Sequence, residues 1–220
     1  MRKKIALLLA IMLAICGLSG CGRKEDPFAG IPNPVATMTL SDGSIMRFEL
    51  FLPDAPNTVA NFVSLANAGF YDGQRFFRIV PGVLVQAGDP KNNGSGHADY
   101  VIQGEFAENG IENGVSHTRG TISMSRQSGY DTASSQFFIM QGTYPEYNGQ
   151  YAAFGRAMDQ ESLEVLDGIA YTGVDANYAP VGAVASIETI RVETYGYEYT
   201  PATMDYPEAT KRPVVEEEEQ

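Results

Sequence analysis

The 220-residue sequence predicts a mainly β domain, a closed antiparallel barrel or a sandwich, with two helices. Three observations carry this. Roughly eight short runs rich in β-branched and aromatic residues are separated by tight-turn signals. Asn-Gly pairs, which accept the positive φ that such turns demand, recur at 93–94, 109–110, 113–114 and 148–149. Only two segments place apolar side chains at helical spacing. Closure into a barrel is attractive because it leaves no unpaired strand edge, but periodicity alone does not choose between the two architectures.

Taken in order, Val35 to Leu40 and Ile45 to Leu52 flank the turn Ser41-Asp42-Gly43-Ser44 and read as a hairpin. Pro53 to Asn57 breaks that strand and starts a helix, whose face is Val59, Phe62, Val63 and Ala66 and which Gly69 closes. Strands are then expected at Phe76 to Val80, Val83 to Ala87, Val101 to Gln103, Thr121 to Ser125, Phe137 to Gln141 and Ala152 to Ala157. A second helix is expected over Gln160 to Ala170, with Leu163, Leu166 and Ile169 apolar, and a last strand over Ala185 to Glu193. Residues 197–220, ending in the run Glu216 to Glu219, read as a solvated acidic tail.

Composition excludes several function classes. Fifteen Lys and Arg against 27 Asp and Glu give a net charge of -12, the wrong sign for a duplex nucleic-acid binder. The two cysteines are Cys16 and Cys21, so the body of the chain holds no disulfide, thiolate nucleophile or cysteine metal site. With only His97 and His117, a multi-His metal site is nearly excluded and no metal or cofactor is expected. No GxSxG, HExxH, CxxC or P-loop pattern occurs. Glu105 and Glu108 imitate a glycosidase pair in spacing only and are expected in a solvated loop.

The N-terminus reads as an address. Arg2-Lys3-Lys4 precedes an apolar run from Ile5 to Cys16, too short for a comfortable membrane span. Leu18-Ser19-Gly20-Cys21 resembles the bacterial lipobox, which implies a signal peptide over 1–20 and lipidation of Cys21. Its removal takes away three basic residues and no acidic one and leaves no free thiol, which suits an oxidising exterior. Residues 21–33 read as a tether.

Four blocks stand out: Phe76 to Pro90 (FFRIVPGVLVQAGDP), Gly120 to Arg126 (GTISMSR), Ser135 to Ile139 (SQFFI) and Asn148 to Gly155 (NGQYAAFG). Their order and spacing resemble those of the cyclophilins, the peptidyl-prolyl cis–trans isomerases, over about residues 34–196. The resemblance implies a closed eight-stranded antiparallel barrel capped by two helices. It implies Arg78 as the donor to the prolyl nitrogen, Gln86 on the substrate backbone and Phe138 in the proline socket. Phe77, Val83, Leu84, Tyr147 and Tyr151 match further substrate-binding positions; Ser125, Arg126 and Gln136 match the groove that receives the residue before the proline. Phe137 and Phe138 alternate along one strand, so one of them points to the core.

Three departures bear on the socket. Val83 stands where the family commonly has Phe, which removes one aromatic wall. Glu146 occupies the position of a Trp important to cyclosporin binding, and the chain has no Trp, so inhibition by cyclosporin is expected to be weak. Tyr151 replaces the His of many eukaryotic members. The expected activity is X–Pro isomerisation in secreted or surface proteins by a lipid-anchored, extracytoplasmic monomer. Its partners are then proline-containing unfolded polypeptides and, through the lipid, a membrane. The alternative is a non-catalytic polypeptide-binding (holdase) module on the same fold.

Overall fold

The alternation of apolar side chains along the short runs builds one antiparallel sheet. In the computed structural model, which describes residues 28–206, its strands are β1 (Val35–Leu40), β2 (Ile45–Leu50), β3 (Arg78–Val80), β4 (Leu84–Ala87), β6 (Thr121–Met124), β7 (Phe137–Met140), β8 (Ala153–Ala157) and β9 (Ile187–Glu193). Their order is β3-β4-β7-β6-β8-β2-β1-β9. Two-residue strands β5 (Tyr100–Val101) and β10 (Met204–Asp205) form a separate ribbon. The helices are α1 (Pro56–Asn67) and α2 (Gln160–Ala170). The signal peptide, Cys21, most of the tether and residues 207–220 lie outside the described residues.

The eight-stranded sheet curls but stays open, which corrects the expectation of a closed barrel. β3 and β9 end the strand order and share no ladder. β3 is three residues long and its one ladder is with β4. The chain just before it crosses the gap instead: Gly73 N–H donates to Ile187 C=O and Ile187 N–H to Gln74 C=O, each at 2.8 Å. The outer edge of β3 is covered by a loop, with Ile79 N–H donating to Tyr178 C=O at 2.8 Å. Loops thus satisfy the edge groups that closure would have paired.

One face of the sheet carries the main core. Ile79, Val85, Ile139 and Ile122 sit side by side across β3, β4, β7 and β6 and are all fully buried. Phe62 of α1 packs over this face, edge-on to Phe137 at 5.4 Å and tilted against Tyr71 and Phe154. The N-terminus of α1 has no side-chain cap from Ala55. Glu105 supplies it, accepting from Asn57 N–H at 3.0 Å and Thr58 N–H at 2.7 Å while 5 % exposed. The expected solvated-loop carboxylate is therefore a buried helix cap, favoured by the positive end of the helix dipole. On α2, Asp159 caps Ser162 N–H at 2.8 Å, and Leu166 and Ile169 are buried with Leu163 at the margin.

Residues 197–206, expected as the start of a free tail, are ordered against the domain. The Asn57 side chain pairs with Ala202 as a strand would, donating to its carbonyl and accepting from its N–H. Met204 and Asp205 then pair with Val101 and Tyr100. No composition signal marks two residues whose pairing is decided by a distant partner.

Candidate active site

Strand register builds the site. Arg78 lies opposite Gln86, Gln86 opposite Phe138, and Phe138 opposite Ser123. Directly opposed residues share a face, so these four form a row across β3, β4, β7 and β6 on the side away from the isoleucine core. A second row, Val80, Leu84 and Met140, lies two residues along on the same face. The alternation places Phe137 in the core and Phe138 in the site.

Leu84, Phe138 and Met140 make a second apolar cluster, against which Val80, Val83, Tyr144, Tyr147 and Tyr151 pack. Phe138 meets Tyr151 edge-on at 5.4 Å and Tyr147 at 5.9 Å. Val83 packs against this cluster as an aliphatic side chain, and Tyr144, Tyr147 and Tyr151 supply its aromatic surface. Burial, more than the neighbouring Tyr151, holds the Tyr147 hydroxyl above its ordinary pKa, with Arg78 pulling weakly the other way.

Arg78 stands half-buried at the edge of this hollow. Its Nη1 donates to Gln86 Oε1 at 3.2 Å, and its guanidinium lies 5.9 Å from the Tyr178 ring centroid. Gln86 in turn donates to Ser125 Oγ at 3.1 Å and Gln136 Oε1 at 3.0 Å. Because the Gln86 oxygen receives from Arg78 while its nitrogen is used on the other side, the amide orientation is determined. Among the described residues, the guanidinium keeps donors uncommitted to protein acceptors, and it sits beside the Tyr178 ring.

Beyond Gln86 opens a polar groove of about 770 Å³, bordered by Ser125, Arg126 and Gln136 together with the loop 94–97. That loop is shaped by Asp89, fully buried, whose carboxylate accepts from the N–H groups of Lys91, Asn93 and Gly94. Gly88 before it has φ +88°, and a Cβ there would fall 2.3 Å from Ser135 O, so only glycine fits. Arg126 is fixed rather than free. Its guanidinium donates to the carbonyls of Gln150, Gln127 and Ser128 and lies about 5 Å from the rings of Phe106, Tyr130 and Tyr151. Phe77 stands apart from the aromatic cluster, with its ring beside Gly94.

Three groups at the hollow escaped sequence reasoning. His117 lies behind Phe138, ring centroids 6.0 Å apart. Its Nδ1 donates to Asn148 Oδ1 and its Nε2 accepts from Ser123 Oγ, both at 3.0 Å. Met140 lies two residues beyond Phe138, where strand alternation places it on the same face. Tyr178 reaches Arg78 from a loop 100 residues away in sequence, and no local pattern announces it.

The match to known proteins follows this geometry. Residues 35–192 match the family model described as cyclophilin type peptidyl-prolyl cis-trans isomerase/CLD. The chain belongs to this family. A peptidyl-prolyl cis-trans isomerase of Helicobacter pylori strain J99 is 42% identical over 134 residues, 61% of this chain and 79% of the relative. Peptidyl-prolyl cis-trans isomerase B of Bacillus subtilis is 44% identical over 117 residues, 53% and 78% of the two chains. A Cryptosporidium parvum cyclophilin-type isomerase, crystallised in the presence of the dipeptide Ala-Pro, aligns with TM-score 0.62 at 28% identity, covering 72% of this chain and 98% of that one. The protein is an isomerase enzyme of the cyclophilin type.

His117 makes the cyclophilin domain pH-sensitive. Burial lowers its pKa, and the bond to Asn148 opposes this only in part. The unfolded chain therefore binds a proton at about pH 6.5 that the folded chain binds only at lower pH. Stability is full above that value and is expected to fall as pH drops from about 6.5 toward the lowered folded pKa. The lowered carboxyls of Asp42, Asp72 and Asp159 act only below about 3.8. Thermal unfolding of wild type and His117→Gln between pH 7.5 and 5 should show a downward slope in the first that is absent in the second.

Proposed function

We propose that Arg78 is the catalytic residue and that the hollow beside it binds the substrate proline. The barrier to X–Pro rotation, about 18–20 kcal/mol, is lost amide resonance. At the twisted transition state the prolyl nitrogen becomes pyramidal and regains its lone pair. A donor aimed at that nitrogen stabilises the transition state far more than either planar isomer. No bond is made or broken, so the reaction needs neither nucleophile nor general base, and both ring nitrogens of His117 are already engaged.

The observation that carries this reading is the single row Arg78, Gln86, Phe138 across three paired strands. Phe138 and Leu84 form the floor for the pyrrolidine ring, with Val83, Tyr147 and Tyr151 as walls. Gln86 orients the guanidinium and holds the substrate backbone. The groove bordered by Ser125, Arg126 and Gln136 takes the residue before the proline. Phe77 has no place in this pocket. The missing Trp and the narrow aliphatic Val83 support weak cyclosporin inhibition.

The enzyme acts, in this proposal, outside the cytoplasm, tethered through lipid on Cys21 and rotating X–Pro bonds of secreted or surface proteins. The lipobox-like Leu18 to Cys21 and a body without thiols support this. Cell fractionation tests it: wild type should pellet with membranes and Cys21→Ala should not. A wild-type protein found wholly in the cytosolic fraction would contradict the anchor.

A protease-coupled assay on a proline tetrapeptide tests the catalytic assignment. Arg78→Ala should lower kcat/KM by about 10²- to 10³-fold, the worth of one transition-state donor, with its melting temperature nearly unchanged because the guanidinium is half-exposed. Unaltered kcat/KM would refute the assignment.

A further inference from the structure

The family match ends at residue 192, yet the chain continues and returns to the groove. After β9, residues 197–206 pair through Ala202 with Asn57 and through Met204 and Asp205 with β5. This strap delivers Tyr206 to the groove, which it lines. The tyrosine ring stacks on the His97 imidazole, centroids 4.1 Å apart and planes within 8°, and its hydroxyl accepts a hydrogen bond from the Gln127 side chain. Tyr206 therefore joins the 94–97 loop to the segment after β6, the two stretches of chain that shape the groove.

We propose that Tyr206 is a specificity-determining residue, and that the strap makes the groove select a long polar side chain, such as glutamine, upstream of the substrate proline. This rests on the assignment of the groove to upstream residues. Gln136 is engaged with Gln86, Gly94 and Gly96 and Thr132 with Gln127 and Gly129, so the polar groups that its walls offer are the Ser125 hydroxyl and the Gln127 amide. Lys91 and Asp99 oppose each other in sign, and Arg126, though engaged with three backbone carbonyls, keeps its positive charge. A flat ring held at both sides offers a packing surface to a long side chain and none to alanine. The strap lies outside the matched family segment.

The test compares matched tetrapeptides bearing Gln or Ala at the first or second position before the proline. Wild type should prefer Gln by roughly three- to tenfold in kcat/KM at one of these positions, the worth of about one net hydrogen bond. In Tyr206→Ala that ratio should fall to near one. Tyr206→Phe, which keeps the ring and loses the hydroxyl, should retain an intermediate ratio. A Gln/Ala ratio equal in wild type and Tyr206→Ala, whether both rates fall or neither does, would overturn the proposal. Calorimetric titration of the same peptides gives the same ratio from dissociation constants. If wild type bound these peptides but failed to isomerise them, the catalytic reading would fail while the binding ratio still decided the role of Tyr206.

Discussion

The site depends on one constraint: the register of β4 between β3 and β7. It sets Arg78, Gln86 and Phe138 side by side. A slip of β4 by one residue would turn Gln86 into the isoleucine core and bring Val85 to the surface. Burying that amide without partners would cost about 1–3 kcal/mol. The core face therefore enforces the geometry of the working face. Fully buried isoleucine and valine side chains on one side hold the polar row in position on the other.

A rigid row suits a reaction that transfers nothing. The enzyme must discriminate a twisted imide from two planar ones, so its donor has to be in place beforehand rather than gathered around each substrate. The contact from Gln86 and the ring of Tyr178 restrict the guanidinium without consuming all its donors. Behind the hollow, the neutral His117 between Asn148 and Ser123 supports the Phe138 ring with a polar network satisfied at both nitrogens.

Much of this was legible in the sequence because it is local. Alternation along Phe76 to Val80 and Phe137 to Gln141 placed the strands, and the spacing of Leu163, Leu166 and Ile169 placed the second helix over its observed range. The four blocks located Arg78, Gln86 and Phe138. What escaped is set by partners far apart in the chain. Glu105 became the cap of a helix 48 residues upstream. Tyr178 reached Arg78 from beyond the second helix, and Ala202 to Asp205 acquired structure only through Asn57 and β5. The opening between β3 and β9 was hidden for the same reason: strand count implied closure, but the contacts of Gly73 and Gln74 with Ile187 span the gap in place of a ladder.

The central claim is that Arg78 acts on the twisted state and hardly on the ground state. Exchange-detected NMR on one X–Pro peptide reports both quantities in a single sample, the bound cis–trans interconversion rate and the dissociation constant. The account predicts that Arg78→Ala slows bound interconversion by two orders of magnitude or more while the dissociation constant changes by less than about threefold. A variant that bound proportionately more weakly yet interconverted its bound peptide at the wild-type rate would contradict it.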